Sequence, residues 1–264
     1  MSQWLEAANR FEERRDTLDY FEGQSALSAI EKIDHLLKTT FRQLIFLLGE
    51  PGSGKSFLLH HLKAQWEEKL DILLIETPFL TPLDLLKKLL AHKGIECHGD
   101  DIEKFRFEAT NLYRDTNHII MLDEAQLLST EMKEFVRILS DSKAFWFLLA
   151  MHQSEGENIL RSPHFKSRPH HIIQLKPLGV MECKNYLDRE LSRIGFSQLG
   201  NELGLKLITK AHKYSHGNFR NFKKILYHMF HLLHYTNTHN RVKFLRPSSC
   251  IITMAAMSSE LLHD

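Results

Sequence analysis

Residues 44–62 read LIFLLGEPGSGKSFLLHHL, and the class of fold can be inferred from them. An apolar run that ends at Gly49 predicts a buried strand of a parallel sheet, because such strands are covered on both faces and need not alternate with polar residues. A glycine-rich loop follows, and the pattern of apolar residues after it predicts a helix. A strand, a loop and a helix in direct succession are typical of an α/β protein.

The loop has the pattern GxxxxGK[ST] from Gly49 to Ser56, which is typical of a phosphate-binding loop. Its glycines permit backbone angles closed to other residues, so that successive N–H groups can face an anion. Lys55 is expected to reach the β and γ phosphates, and the Ser56 hydroxyl to bind Mg²⁺. A glycine-rich turn that binds nothing is the alternative, but the flanking strand and helix favour a nucleoside triphosphate site. The predicted nucleotide-binding residues are Gly49, Glu50, Pro51, Gly52, Ser53, Gly54, Lys55, Ser56 and Phe57.

A second motif, IIMLDEAQ at residues 119–126, places two carboxylates after an apolar run. It predicts a strand that delivers Asp123 and Glu124 to its carboxyl end, the edge where ligands bind in open α/β sheets. Asp123 is expected to hold the Mg²⁺ ion, and Glu124 to orient and polarise an attacking water. A strand that ends in solvated acids is the plainer interpretation, but the phosphate-binding loop upstream favours a hydrolase.

Strand and helix patterns alternate through most of the chain and predict a doubly wound parallel sheet. Around Pro177 and Gly179 the composition shifts, and the pattern after it is helical. The predicted regions are an N-terminal helical extension at 1–17, a nucleotide-binding core at 18–178, a basic helical lid at 179–240 and a C-terminal tail at 241–264.

Charge is distributed unevenly, although the formal net charge is only +1. Residues 203–259 contain no Asp or Glu but nine basic residues, which leaves about −8 for the rest of the chain. Such asymmetry predicts that the basic segment meets an anion, and DNA, RNA and an anionic membrane surface all qualify. A solvated basic face around an ordinary apolar lid is the alternative. The basic residues are Lys206, Lys210, Lys213, Arg220, Lys223, Lys224, Arg241, Lys243 and Arg246.

Three separated cysteines form no CxxC pair, so neither a disulfide framework nor a zinc knuckle is predicted. The first residues contain no signal-peptide core, and the apolar run at 145–151 is far shorter than a membrane helix. A cytoplasmic chain without an integral membrane segment is therefore expected. His228, His231 and His234 could supply imidazoles to zinc, but with no cysteine beside them a histidine stripe on a lid helix is favoured.

Several segments together resemble the AAA+ ATPases of the general secretion pathway protein A and TniB transposition type. They are GEPGSGKS, MLDEAQLLSTEMKEFVRILSD, FWFLLAMHQSE and SPHFKSRPHHIIQLKPL, within a resemblance that covers about residues 18–240. The resemblance implies a P-loop NTPase fold, with a five-stranded parallel sheet of order 5-1-4-3-2 and a C-terminal helical lid. It also implies ATP with Mg²⁺ as the ligand and a homo-oligomer as the active form.

The same resemblance implies roles for three further residues. His152 stands where these proteins keep a polar sensor of the γ-phosphate, and a strand-end histidine facing water is the alternative. Arg168 stands where they carry an arginine supplied to the neighbouring subunit's nucleotide, with Arg161 as the rival and a plain surface arginine as the third interpretation. Arg220 matches a lid arginine that contacts the γ-phosphate, or is a solvated charge at a helix start.

Three functions fit this chemistry. The first is an oligomeric Mg·ATP-dependent ATPase that remodels or loads a nucleic-acid complex through its basic lid. The second is an assembly or energising ATPase of a secretion, pilus or DNA-uptake apparatus with an unidentified protein partner. The third is a nucleotide-gated module that does not hydrolyse ATP, against which the pair Asp123 and Glu124 argues.

Overall fold

Five strands form one parallel sheet in the computed structural model, which describes residues 2–12, 20–39, 41–76, 81–161 and 169–262. The strands are β1 Leu44–Gly49, β2 Asp71–Ile75, β3 His118–Leu122, β4 Phe147–His152 and β5 His170–Leu175. Their order across the sheet is β2-β3-β4-β1-β5. Read from the other edge this is 5-1-4-3-2, so the predicted fold class is confirmed.

Helices connect the strands and make up most of the chain after β5. They are α1 Gln3–Arg10, α2 Gln24–Thr39, α3 Lys55–Trp66, α4 Pro82–His92, α5 Ile102–Arg114, α6 Thr130–Asp141, α7 Gln153–Arg161, α8 Val180–Arg193, α9 Ser197–Glu202, α10 Leu205–Ser215, α11 Phe219–Thr238 and α12 Ser249–Ser258. Ser129 caps α6 by accepting a hydrogen bond from the Met132 N–H, but methionine cannot return the second bond of a capping box. No helix in the described part of the chain is long and apolar enough to span a bilayer.

The chain divides into two compact units. The sheet unit comprises Ala26–Pro51 and Lys55–Leu175, and the helical unit comprises Met1–Ser25, Gly52–Gly54 and Lys176–Asp264. In the sheet unit β1 and β3 are buried along their whole length, which is why their sequences are apolar runs without alternation. The predicted boundaries at 17, 178 and 240 remain predictions.

The helical unit has its own apolar core, and α1 contributes to it. The Phe11 ring lies 5.6 Å from the Phe230 ring and 6.0 Å from the Tyr186 ring, and Ala7 and Ala8 are fully buried. At the other end of the chain, α12 buries Ile251, Ile252, Ala255 and Ala256 in the same cluster. The segment predicted as a tail thus contains a core helix of this unit.

Arg42, just before β1, forms hydrogen bonds with carbonyl groups at the end of α5 and before β4 in the sheet unit. Its guanidinium donates hydrogen bonds to the carbonyl oxygens of Tyr113 and Ala144, each at 2.9 Å, and of Thr116 at 2.6 Å, with a fourth bond to the carbonyl of Arg114. Three of these carbonyls lie at the end of α5, where helical carbonyl groups lack intrahelical donors. Only a planar guanidinium presents enough donors for this arrangement.

We expect Arg42→Met to lower the free energy of unfolding by about 2 kcal/mol, since several half-buried carbonyl groups lose a charged donor at once. Arg42→Lys should recover about half of that loss, because a single ammonium cannot reach both the carbonyls at the end of α5 and the Ala144 carbonyl. Chemical denaturation checks both values, with the exposed Arg114→Met as the control that should change stability by under about 0.5 kcal/mol. Equal stability of Arg42→Met and Arg114→Met would contradict a stabilising role of the Arg42 hydrogen bonds.

Candidate functional site

The glycine-rich loop leaves β1 at the carboxyl edge of the sheet and enters α3 directly. Gly52 and Gly54 have φ values of +79° and +94°, in the region that favours glycine. A Cβ atom on Gly52 would also lie 2.8 Å from the Asn218 Oδ1 atom and from the Arg220 Cβ atom, both in the helical unit to which residues 52–54 belong. Strain and steric contact therefore both require glycine at position 52.

Lys55 is the first residue of α3 and is 5% exposed. Its ammonium donates to the carbonyl oxygens of Gly49 at 2.9 Å and Glu50 at 3.2 Å, so the charge is held over the loop. The Ser53 Oγ atom in the same loop is buried and has no hydrogen-bond partner among the described residues. A buried cation and an unsatisfied hydroxyl in one loop are groups that a phosphate oxygen would satisfy.

Asp123 brings the second motif to the same edge of the sheet. Its backbone N–H donates to the Ile75 carbonyl at 3.0 Å, which extends the pairing of β3 with β2, and the residue is 6% exposed. Burial raises the pKa of the Asp123 carboxyl, and hydrogen bonds from the Ser56 hydroxyl and the Glu124 N–H partly offset that rise. A buried carboxylate together with a hydroxyl is an oxygen donor set that fits Mg²⁺, and the ion's charge would oppose the effect of burial.

Glu124 follows in a left-handed conformation, with φ 48° and ψ 36°, which is uncommon for a residue with a side chain. Its backbone N–H donates to the Asp123 Oδ1 atom at 2.9 Å, and its carboxylate accepts a hydrogen bond from the Gln126 amide. The turn thereby aims the two neighbouring carboxylates differently: that of Asp123 is buried, whereas the Glu124 side chain is 39% exposed. Backbone strain of this kind persists where the surroundings fix it.

His152 ends β4 directly beside Gly49, the residue that ends β1. Its Nε2 atom lies 3.7 Å from the Glu124 Oε2 atom, and its Nδ1 atom lies 4.0 Å from the Glu155 Oε2 atom. The Ser154 hydroxyl donates a hydrogen bond to the Glu155 carboxylate and thereby lowers the pKa of Glu155 below its ordinary value. The structure thus places the predicted sensor against the predicted base and adds Glu155, which sequence reasoning missed.

The structure describes two of the three arginines for which a role was predicted. Arg168 lies outside the described residues. Arg161 ends α7 with its side chain 79% exposed, 3.9 Å from the Glu157 carboxylate. Arg220 is exposed in the first turn of α11, and its backbone N–H donates to the Gly52 carbonyl at 3.2 Å. Among the described residues, Arg220 is thus bonded to Gly52 within the helical unit, and the roles of all three arginines remain predictions.

Aromatic residues of the basic segment lie mostly in the core of the helical unit. Phe222 is fully buried, and the Phe219 ring packs edge-on 4.8 Å from the Tyr186 ring. The Tyr227 ring contacts the His231 ring at 4.4 Å. Phe222 therefore cannot stack on a base, whereas seven cations of the segment are exposed: Lys206, Lys213, Arg220, Lys224, Arg241, Lys243 and Arg246.

The histidine stripe of α11 makes contacts within the helical unit. His234 Nδ1 lies 2.9 Å from the Ser2 Oγ atom, and burial lowers the pKa of His228 and His231. Among the residues with described positions, no group of three or more His, Cys, Asp or Glu side chains could hold a metal ion.

Comparison with known sequences gives a match to a family model and a match to a curated protein. A model described as an AAA domain matches residues 39–160, which contain both motifs and His152. General secretion pathway protein A of Aeromonas hydrophila is 26% identical over 167 residues, covering 58% of this chain and 30% of that protein. The chain therefore spans less than a third of the length of this relative.

Solved structures with a similar fold come from several proteins. Cdc6p of Pyrobaculum aerophilum aligns with a TM-score of 0.62 at 14% identity, covering 87% of this chain and 66% of that one. The RuvB Holliday junction branch migration motor of Thermotoga maritima aligns with a TM-score of 0.56 at 18% identity, over 91% and 70%. The ORC1 protein of Aeropyrum pernix, solved in complex with DNA, aligns with a TM-score of 0.57 at 12% identity, over 97% and 69%.

Identities this low establish the fold alone. The sheet order and the similarity of residues 39–160 to the AAA domain model show a P-loop NTPase fold of the AAA+ type. Within that class, the chain resembles the general secretion pathway protein A type.

Proposed function

We propose that this chain is a Mg·ATP-dependent ATPase. The observation that carries the proposal is that two motifs far apart in sequence meet at one edge of the sheet: the buried Asp123 carboxyl follows β3 there, and the Ser56 hydroxyl after the phosphate-binding loop lowers its pKa against the effect of burial. Lys55 is buried in the same loop, with its ammonium over the loop carbonyls. A cation for the phosphates and oxygen donors for Mg²⁺ therefore lie at one edge of the sheet, where open α/β sheets bind their ligands.

Each residue has a role that its position supports. The loop residues 49–57 bind the phosphates, and Ser56 and Asp123 hold Mg²⁺, which supplies charge neutralisation to the phosphate oxygens. Glu124 orients the attacking water and accepts its proton, since its carboxylate is the accessible one of the acidic pair. His152, 3.7 Å from Glu124, positions that carboxylate and donates toward the γ-phosphate.

Hydrolysis is proposed to need a homo-oligomer. Arg168, or Arg161 in its place, is supplied to the nucleotide of a neighbouring copy, where a guanidinium stabilises charge on the transferring phosphoryl oxygens. Arg220, on the helix that contacts Gly52, links the conformation of the helical unit to the bound nucleotide. Because the fraction of chains in an oligomer falls on dilution, turnover per chain should rise with protein concentration.

Nucleic acid is the proposed target of the ATPase. The support is the segment 203–259, which has no acidic residue and seven exposed cations. Two solved structures of the same fold are a Holliday junction branch migration motor and a protein in complex with DNA. We therefore place the chain in a loading or remodelling step of the transposition or DNA-loading kind.

A second candidate is assembly or energising of a secretion, pilus or DNA-uptake apparatus, acting on an unidentified protein partner. The relative named general secretion pathway protein A favours it. Because the two candidates share the ATPase chemistry, dependence on DNA separates them.

Steady-state ATP hydrolysis by the purified chain tests the proposal. We expect turnover that requires Mg²⁺, rises more than linearly with protein concentration and is stimulated by DNA. Turnover indifferent to single- and double-stranded DNA would favour the secretion or uptake role. No turnover in any condition, with ATP binding intact, would leave a nucleotide-gated module and contradict the ATPase proposal.

A further inference from the structure

A compact turn, which we name the basic turn and define as residues 235–246, closes the end of α11. Three hydrogen bonds fix its backbone. The Arg241 N–H donates to the Thr236 carbonyl at 2.8 Å, the Thr236 hydroxyl donates to the Phe244 carbonyl at 2.7 Å, and the Asn237 amide donates to the Leu245 carbonyl at 3.2 Å. The side chains of the turn therefore project from a defined frame rather than from a loose loop.

Three cations lie on this frame. Arg241, Lys243 and Arg246 are exposed, and none of them forms an ion pair with a carboxylate in the described ranges of the chain. The dipole of α11 does not account for them, because its effect falls off beyond the last helical turn and that turn contains no Lys or Arg. Three unpaired cations on a rigid turn are suited to an extended anion with several charges.

An exposed pair of rings lies beside these cations in sequence. The Tyr235 ring stacks on the His239 ring with centroids 4.1 Å apart and planes 29° apart, and Tyr235 is 52% exposed. Val242, between two of the cations, is 80% exposed. Whereas Phe219 and Phe222 pack into the core, Tyr235 keeps an aromatic surface in solvent.

We propose that the basic turn binds single-stranded nucleic acid. Its cations contact successive phosphates, and an unpaired base stacks on the Tyr235–His239 pair, which is the combination that single-strand sites use. A base pair inside a duplex offers no free face for such stacking, so the exposed rings favour the single strand. The inference deepens the proposed nucleic-acid role by naming its binding surface and strand type, and the binding itself needs no ATP hydrolysis.

Fluorescence anisotropy of a labelled oligothymidine of about 20 nucleotides, with the full chain and no nucleotide, tests the proposal. Replacing Arg241, Lys243 and Arg246 together with Ser should weaken binding by at least about 10-fold. The slope of log affinity against log salt should fall by about 2, because three phosphate contacts are lost at about 0.7 each. Tyr235→Ser should weaken binding about 5-fold or more with the slope unchanged, since stacking releases no counterions.

A matched variant carries the same change of charge on the sheet unit. Lys32, Lys69 and Lys88 are exposed, and replacing all three with Ser should leave affinity within about 2-fold. Equal loss in both triple variants would overturn the assignment, as would binding to anionic vesicles in place of the oligonucleotide. If duplex were bound as tightly as the single strand and Tyr235→Ser did not change the affinity, the preference for single strands would be overturned.

ATP turnover in the absence of DNA separates this inference from the proposed function. The basic-turn variant should hydrolyse ATP at the wild-type basal rate and keep the wild-type unfolding midpoint, since it alters exposed side chains outside the nucleotide site. Loss of oligonucleotide binding with turnover retained supports the basic turn. A wild-type chain that binds the oligonucleotide through this turn but hydrolyses nothing would contradict the ATPase and leave the binding surface standing.

Discussion

Glu124→Gln is expected to lower ATP turnover by about 100-fold or more while ATP affinity changes by less than about 3-fold. An amide has the shape of the carboxylate but cannot accept the proton of the attacking water. The local structure should survive, because the amide oxygen can still accept the hydrogen bond from Gln126, and the backbone bond to Asp123 does not involve the side chain. Loss of rate without loss of affinity is the signature of a group needed only for the chemical step.

Turnover and equilibrium ATP binding measured on the same preparation check this expectation. Glu68→Gln removes one exposed carboxylate outside both motifs and should leave both quantities unchanged. If Glu124→Gln retained more than about a tenth of the wild-type rate, another group would have to act as the base. Glu155, 4.0 Å from His152 on its other nitrogen, would be the first residue to examine.

Local patterns were enough to predict the sheet unit. An apolar run without alternation is what a strand covered on both faces requires, and β1 and β3 show it directly. The loop residues from Gly49 to Ser56 are contiguous, so their chemistry can be recognised without knowing the fold. The order of the strands could not be predicted from such patterns, and it was implied only by the resemblance to AAA+ proteins.

Contacts between distant segments escaped the sequence analysis. The burial of α1 and α12 in one core depends on helices from opposite ends of the chain, and short apolar stretches such as CIITMAAM in 250–257 carry no signal for that partner. The approach of Asn218 to Gly52 depends on the folded chain and has no local signal. The sequence could have indicated only that Asn218, directly before Phe219, is a helix N-cap. The left-handed turn at Glu124 likewise has no local signature, because glutamate rarely adopts it.

Lys55→Met is expected to weaken ATP binding by about 100-fold, or about 3 kcal/mol, because the triphosphate loses its buried, charge-assisted donor. The unliganded protein should tolerate the change. Methionine has a similar length and no charge to desolvate, which offsets the loss of the two bonds to the loop carbonyls, so the free energy of unfolding should change by under about 1 kcal/mol. The effect on binding and the effect on folding are thus predicted to separate.

Ligand-dependent stability measures that separation in one experiment. At an ATP concentration 100 times the wild-type dissociation constant, Mg·ATP should stabilise the wild-type chain by about 2.7 kcal/mol and Lys55→Met by only about 0.4 kcal/mol. Lys63→Met, in the last turn of the same helix, should keep the full stabilisation. Because Glu124→Gln is expected to keep it as well, the two variants divide the site into a residue that binds and a residue that reacts. Full stabilisation of Lys55→Met by ATP would mean that this ammonium does not face the phosphates, and the phosphate-binding role of the loop would fail with it.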